Sequence, residues 1–75
     1  MNHFPAVTAK EVIKALKQIG FYEHHQKGSH KIFKRDSDKR RVVIPFHGGS
    51  TIPRKTLKAI LLDADLSLEK LKELL

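Results

Sequence analysis

Apolar residues recur early in the chain at Ala9, Val12, Ile13, Leu16 and Ile19, the three- and four-residue spacing of one helical face. Thr8 precedes this stripe and Glu11 follows three residues later, a capping-box signature, and Gly20 ends it. A helix from about Ala9 to Ile19 is therefore predicted, with Lys10, Lys14, Lys17 and Gln18 on a solvated polar face. After Gly20 the period changes. The segments FYEHHQK, HKIFKR and RRVVIPF are short and rich in aromatic or β-branched residues, and Gly28-Ser29 and Asp36-Ser37-Asp38 separate them with turn chemistry. They predict a three-stranded meander, antiparallel because connections this short cannot make a parallel crossover.

The loop HGGST, His47 to Thr51, follows the third strand. Pro53 suits a first helical turn, where a missing N–H costs nothing, so a second helix is predicted from about Pro53 to Asp63, with Leu57, Ile60, Leu61 and Ala64 as its apolar stripe. Ser67 is a cap for a short final helix carrying Leu68, Leu71, Leu74 and Leu75. So short a helix is marginal alone and must dock on its own sheet or on a partner chain. The order α-β-β-β-α, with the extra C-terminal helix, predicts an α+β fold: a three-stranded antiparallel sheet with helices on one face and the other face open. The whole chain, residues 1–75, reads as one domain, with residues 1–7 an irregular extension that has no assigned role.

Composition narrows the function. Fifteen Lys and Arg against eight Asp and Glu give a formal charge of +7, which favours anionic partners, nucleic acid first. There is no cysteine, so disulfides and thiolate metal sites are excluded, and a reducing, cytoplasmic setting fits. Neither a leader-like apolar segment nor a run long enough to span a membrane is present, so export and membrane insertion are not expected.

The stretch HHQKGSHKIFKR, His24 to Arg35, holds the candidate chemistry. Histidine titrates nearest neutrality, so His30, at a strand start among cations, is placed to move protons beside a phosphate; the ordinary alternative is a solvated surface ring. Alternation puts His30, Ile32 and Lys34 on one face and Lys31, Phe33 and Arg35 on the other. The bulk of Phe33 assigns its face to the helices and leaves His30 and Lys34 on the open side. By the same alternation His24 and His25, as strand neighbours, cannot both turn to one ion, and no metal site is expected.

The runs QKGSHKIFKR, RRVVIPFHGG, IPRKTLKAIL and TAKEVIKALKQIGF resemble, in order and spacing, the HicA family of toxin mRNA endoribonucleases, from about Thr8 onward. The combination of Gly-Ser-His with Phe33, then Val-Ile-Pro-x-His-Gly, then Pro-x-x-Thr-Leu carries the resemblance. It implies a fold similar to double-stranded-RNA-binding domains, ribonuclease activity centred on His30, and neutralisation by a HicB-like antitoxin. The chain departs from the family's usual glycines at Lys55 and at Asp65 of Ala64-Asp65-Leu66. Asp takes up a left-handed helix terminus less readily than Gly, so the end of the second helix is the boundary this departure touches.

RNA carries its own nucleophile, the 2′-hydroxyl, next to the scissile phosphate, so proton transfer and charge stabilisation suffice and no cofactor is expected. His30 is then the catalytic residue. Lys31 and Lys34 are auxiliary candidates for charge stabilisation, Ser29 for a bond to a phosphate oxygen, and His47 for a second proton-handling role. Expected RNA contacts are Lys27, Gly28 and Arg35, then Arg40 and Arg41 at the second turn, and Arg54, Lys55 and Lys58 at the positive end of the second helix. A non-catalytic double-stranded-RNA-binding module is the alternative, and an adaptor for an acidic protein is a third.

Overall fold

The computed structural model describes residues 4–47 and 49–75. Helix α1 spans Ala9–Gln18 and opens on the expected capping box: the Glu11 amide donates to Thr8 Oγ1 at 3.3 Å, and the Thr8 amide donates to Glu11 Oε1 at 2.9 Å. Strands β1 (Tyr22–Lys27), β2 (His30–Arg35) and β3 (Arg40–Pro45) form one sheet in the order β1-β2-β3, each pair antiparallel. Helices α2 (Arg54–Ala64) and α3 (Leu68–Leu74) follow. Pro53 sits one position outside α2 as its N-cap, with extended backbone at ψ 144°, rather than inside the first turn. The Ser67 hydroxyl accepts from the Lys70 amide at 3.0 Å and caps α3.

Two-residue spacing along the strands sorts the sheet into its faces. Phe33, Val42 and Ile44 are wholly buried beneath the helices, where they meet Val12 and Leu16 of α1, Leu57 of α2 and Leu71 of α3 in one core. Ala15 is also buried, while Ile13 and Ile19 pack only partly, so the α1 stripe is turned slightly from the expected one. The short α3 docks on α1 within the same chain, where Gln18 Nε2 donates to the Leu74 carbonyl at 3.0 Å. The helical cover reaches β2 and β3 only; every residue of β1 is exposed. Residues 4–8, ahead of α1, are irregular but not idle. Val7 is a core residue whose carbonyl accepts from the Ile52 amide at 2.8 Å, and Thr8 bridges to Thr51.

The departure at Asp65 leaves the helix end intact. Asp65 adopts the left-handed conformation (φ 54°, ψ 47°), its amide bonds to Leu62 O and the Leu66 amide to Leu61 O, the paired bonds of a Schellman motif.

Arg35 and Arg40 lock the second turn to the helix layer. Arg35 donates to Ile19 O at the end of α1 (3.0 Å), to Ala64 O at the end of α2 (3.3 Å) and to both Asp38 carboxylate oxygens (3.0 and 2.7 Å), and its guanidinium lies over the Phe21 ring. Arg40 donates to Asp38 Oδ2 (3.0 Å) and to Asp63 O (3.2 Å). Cations that reach the last carbonyls of a helix satisfy orphan acceptors and complement its dipole. These bonds also show that α2 runs back along β3, with its C-terminus at the Arg40 end and its N-terminus at the Pro45 end.

Candidate functional site

The β1–β2 connection is a two-residue turn, Gly28-Ser29, closed by the pair Lys27↔His30. Gly28 has φ +58° while Ser29 stays negative, the pattern of a type II′ turn. A Cβ at Gly28 would meet nothing within 4 Å, so the backbone angle and not crowding is what requires glycine. His30 is thereby fixed as the first residue of β2, exposed, opposite Lys27 on one side and Pro45 on the other. The Phe46 amide donates to Ser29 O at 2.6 Å, which ties the segment after β3 to the turn and sets exposed His47 beside it. The N-terminus of α2, with exposed Arg54, Lys55 and Lys58, lies toward this same end but in the helix layer, and Arg54 is positioned over the Phe4 ring. Gly48, part of the expected His-Gly motif, is outside the described residues.

Cross-strand partners share a face, so the open side carries Lys27, His30 and Pro45 at one end, His25, Ile32 and Val43 in the middle, and Tyr22, Lys34 and Arg41 at the other end. Phe33 does face the helices and Lys34 shares the side of His30, as parity predicts. Lys31 lies opposite the face of His30, its ammonium 4.4 Å from the Phe46 ring centroid and 3.8 Å from Glu23, so it has no part beside that ring. Arg35 and Arg40, expected as RNA contacts, have their donors engaged by helix carbonyls and Asp38. We assign both to the architecture.

Strict alternation fails in β1. The register shifts between Glu23 and His25, a bulge with His24 as the extra residue. His25 pairs with Ile32 on the open side, while His24, the extra residue, lines a cleft at the strand end with Tyr22, Lys34, Arg35, Arg40 and Arg41. The regular alternation from which their divergence was argued does not hold at this bulge. Among the described residues no group of three or more His, Cys, Asp or Glu side chains is placed to hold a metal ion.

That cleft, about 360 Å³, has Asp36 and Lys39 in its lining as well, and the Asp38-bonded Arg35 and Arg40 close its helix side. The Tyr22 hydroxyl donates to Asp36 Oδ1 at 2.9 Å, and this bond, with burial, holds the phenol above its ordinary pKa of 10.0. Asp38 is held down to about 2, first by its hydrogen bond from Arg35 and then by that cation's charge and by Arg40. Tyr22, His24 and the cleft itself are absent from the sequence-based set; the one signal that pointed there was the density of cations from Lys34 to Arg41.

Fold and site together define a small α+β domain that presents an open, basic, histidine-bearing sheet face. A family model described as the HicA toxin of bacterial toxin-antitoxin systems matches residues 9–66. The chain belongs to the HicA toxin family, and membership implies an antitoxin partner. No curated protein matches it. Among the described residues no helix is long and apolar enough to cross a membrane.

Proposed function

We propose that this toxin is a metal-independent endoribonuclease that cleaves mRNA on the open sheet face, with His30 as general acid and base, and that a HicB-like antitoxin neutralises it in the cytoplasm. The observation that carries the reading is the position of His30: an exposed imidazole at the end of a two-residue turn, with Lys27 opposite and Lys34 on the same face. A base here takes the proton of the RNA 2′-hydroxyl. The 2′-oxygen then bonds to phosphorus as the bond from phosphorus to the 5′-oxygen breaks, and the leaving oxygen takes a proton from the imidazolium or from water. Lys27 and the Ser29 hydroxyl are the neighbours that hold the phosphoryl oxygens, and His47, beside the turn, is the second proton-handling group. Arg54, Lys55 and Lys58 serve as outlying phosphate contacts at the same end, with the α2 N-terminus adding the positive end of its dipole.

The test is cleavage of single-stranded RNA by purified protein. His30→Ala should lose about 10²- to 10⁴-fold in rate while keeping its melting temperature and most RNA affinity, and EDTA should change nothing. Undiminished cleavage by that variant would remove His30 from the mechanism. Binding of duplex RNA with no cleavage by the parent protein would instead favour the double-stranded-RNA-binding module.

A further inference from the structure

Two pairs of like charges face one another across β2 and β3, and the fold treats them differently. On the helix side Arg35 opposes Arg40, and Asp38 sits between them, bonded to both at 2.7 to 3.0 Å. On the open side Lys34 opposes Arg41 directly, and neither forms an ion pair among the described residues. Like charges directly opposite on a sheet are destabilising, so the open pair lacks the counter-charge its twin possesses. Asp36 lines the same cleft and accepts the Tyr22 hydroxyl, but its carboxylate forms no ion pair with Lys34 or Arg41. Lys39, at the turn, is a further cation of the lining, beside Arg35 and Arg40, whose charge Asp38 offsets.

We propose that a phosphate of single-stranded RNA supplies this counter-charge, and that the strand runs along β2 from His30 to the Tyr22–Lys34–Arg41 cleft. The inference rests on the ribonuclease reading and extends it with a second subsite. Lys34 is four residues from His30, about 13 Å along a strand, a reach of roughly two to four nucleotides, so the cleft holds a phosphate distant from the one being cut. Between the two ends the face changes character. Ile32 and Val43 are half-buried and apolar, and His25 stands opposite Ile32, a surface on which unpaired bases can lie. Cations at both ends with an apolar and imidazole centre match a strand whose phosphates and bases alternate in contact. A duplex keeps its bases stacked inside and has nothing to place on that centre.

Fluorescence anisotropy with a short single-stranded 2′-O-methyl RNA, which cannot cleave itself, and with its duplex, tests the subsite on the full chain. The Lys34→Ala/Arg41→Ala protein should bind the single strand about tenfold more weakly and lower the salt slope by about 1.4, two contacts at roughly 0.7 each. Its melting temperature without RNA should not fall, since a repulsion is removed. Unchanged affinity and slope, in a parent protein that binds and cleaves RNA, would overturn the subsite and leave the ribonuclease reading standing. Equal losses on duplex and single strand would overturn the single-strand track. Loss of antitoxin binding with RNA affinity intact would assign the pair to an acidic protein instead. A parent protein that binds no RNA would overturn both readings together.

Discussion

At Arg35 one guanidinium serves two helix ends, a carboxylate and an aromatic ring, with its side chain only 16% exposed. Arg35→Ala leaves the carbonyls of Ile19 and Ala64 without this donor and exposes the Phe21 face, so stability should fall by about 1–3 kcal/mol, read from the urea midpoint. Arg35→Lys should recover little, because an ammonium cannot hold the carboxylate in a fork. Asp38 gives the same cluster a pH signature. Its carboxyl is lowered from 3.8 to about 2 in the folded chain, so its contribution is complete above its ordinary pKa and is lost as pH falls through the folded value. Melting temperature should therefore drop between about pH 4 and pH 2, and Asp38→Asn should melt lower at neutral pH but show a shallower acid decline. Neither role was legible in the sequence. Arg35 and Arg40 read there as RNA contacts, because the carbonyls they satisfy belong to helices distant along the chain and become neighbours only once α1 and α2 pack on the sheet.

The elements themselves were legible because each carries a local signal that tertiary packing does not oppose: Thr8 with Glu11, Gly28-Ser29, Ser67, and the unbroken stripe Leu57, Ile60, Leu61, Ala64. The α2 terminus shows what such signals leave undecided. Without glycine at Asp65, the Schellman bonds still form, at the cost of a left-handed Asp. Asp65→Gly should raise stability by about 0.5 kcal/mol, because the conformational relief exceeds the loss of an exposed 3.9 Å contact to Arg40, whereas Asp65→Ala should lower it. Urea unfolding of the two variants checks the opposite signs. The bulge in β1 was hidden for another reason. YEHHQK is exposed throughout, so no apolar alternation marks its register, and an inserted residue leaves no trace in the pattern. Hence His24 and the cleft it lines escaped a reading based on parity, while His30, in a strand anchored by buried Phe33, did not.

The whole molecule measures 34 × 27 × 18 Å, and its open face holds cations at two ends about 13 Å apart. That separation exceeds the Debye length of about 8 Å at physiological ionic strength, so each end acts on RNA largely through its own contacts. Chemistry and capture are thereby separable. His30 works on one linkage through short-range proton transfer, which salt scarcely affects, whereas Lys27, Lys34, Lys39 and Arg41 work by displacing counterions, which salt opposes directly. Raising salt should thus lower kcat/KM steeply while kcat at saturating RNA stays nearly constant. These four sheet-face contacts at roughly 0.7 each contribute about −2.8 to the slope of log kcat/KM against log salt, and Arg54, Lys55 and Lys58 steepen it further. Arg41→Ala should make that slope shallower with little change in kcat, and His30→Ala should lower kcat and leave the slope in place. A parallel fall of kcat and kcat/KM with salt would mean that the distant cations act on the cleaved phosphate itself, and that the two ends of the sheet are not the independent sites their spacing implies.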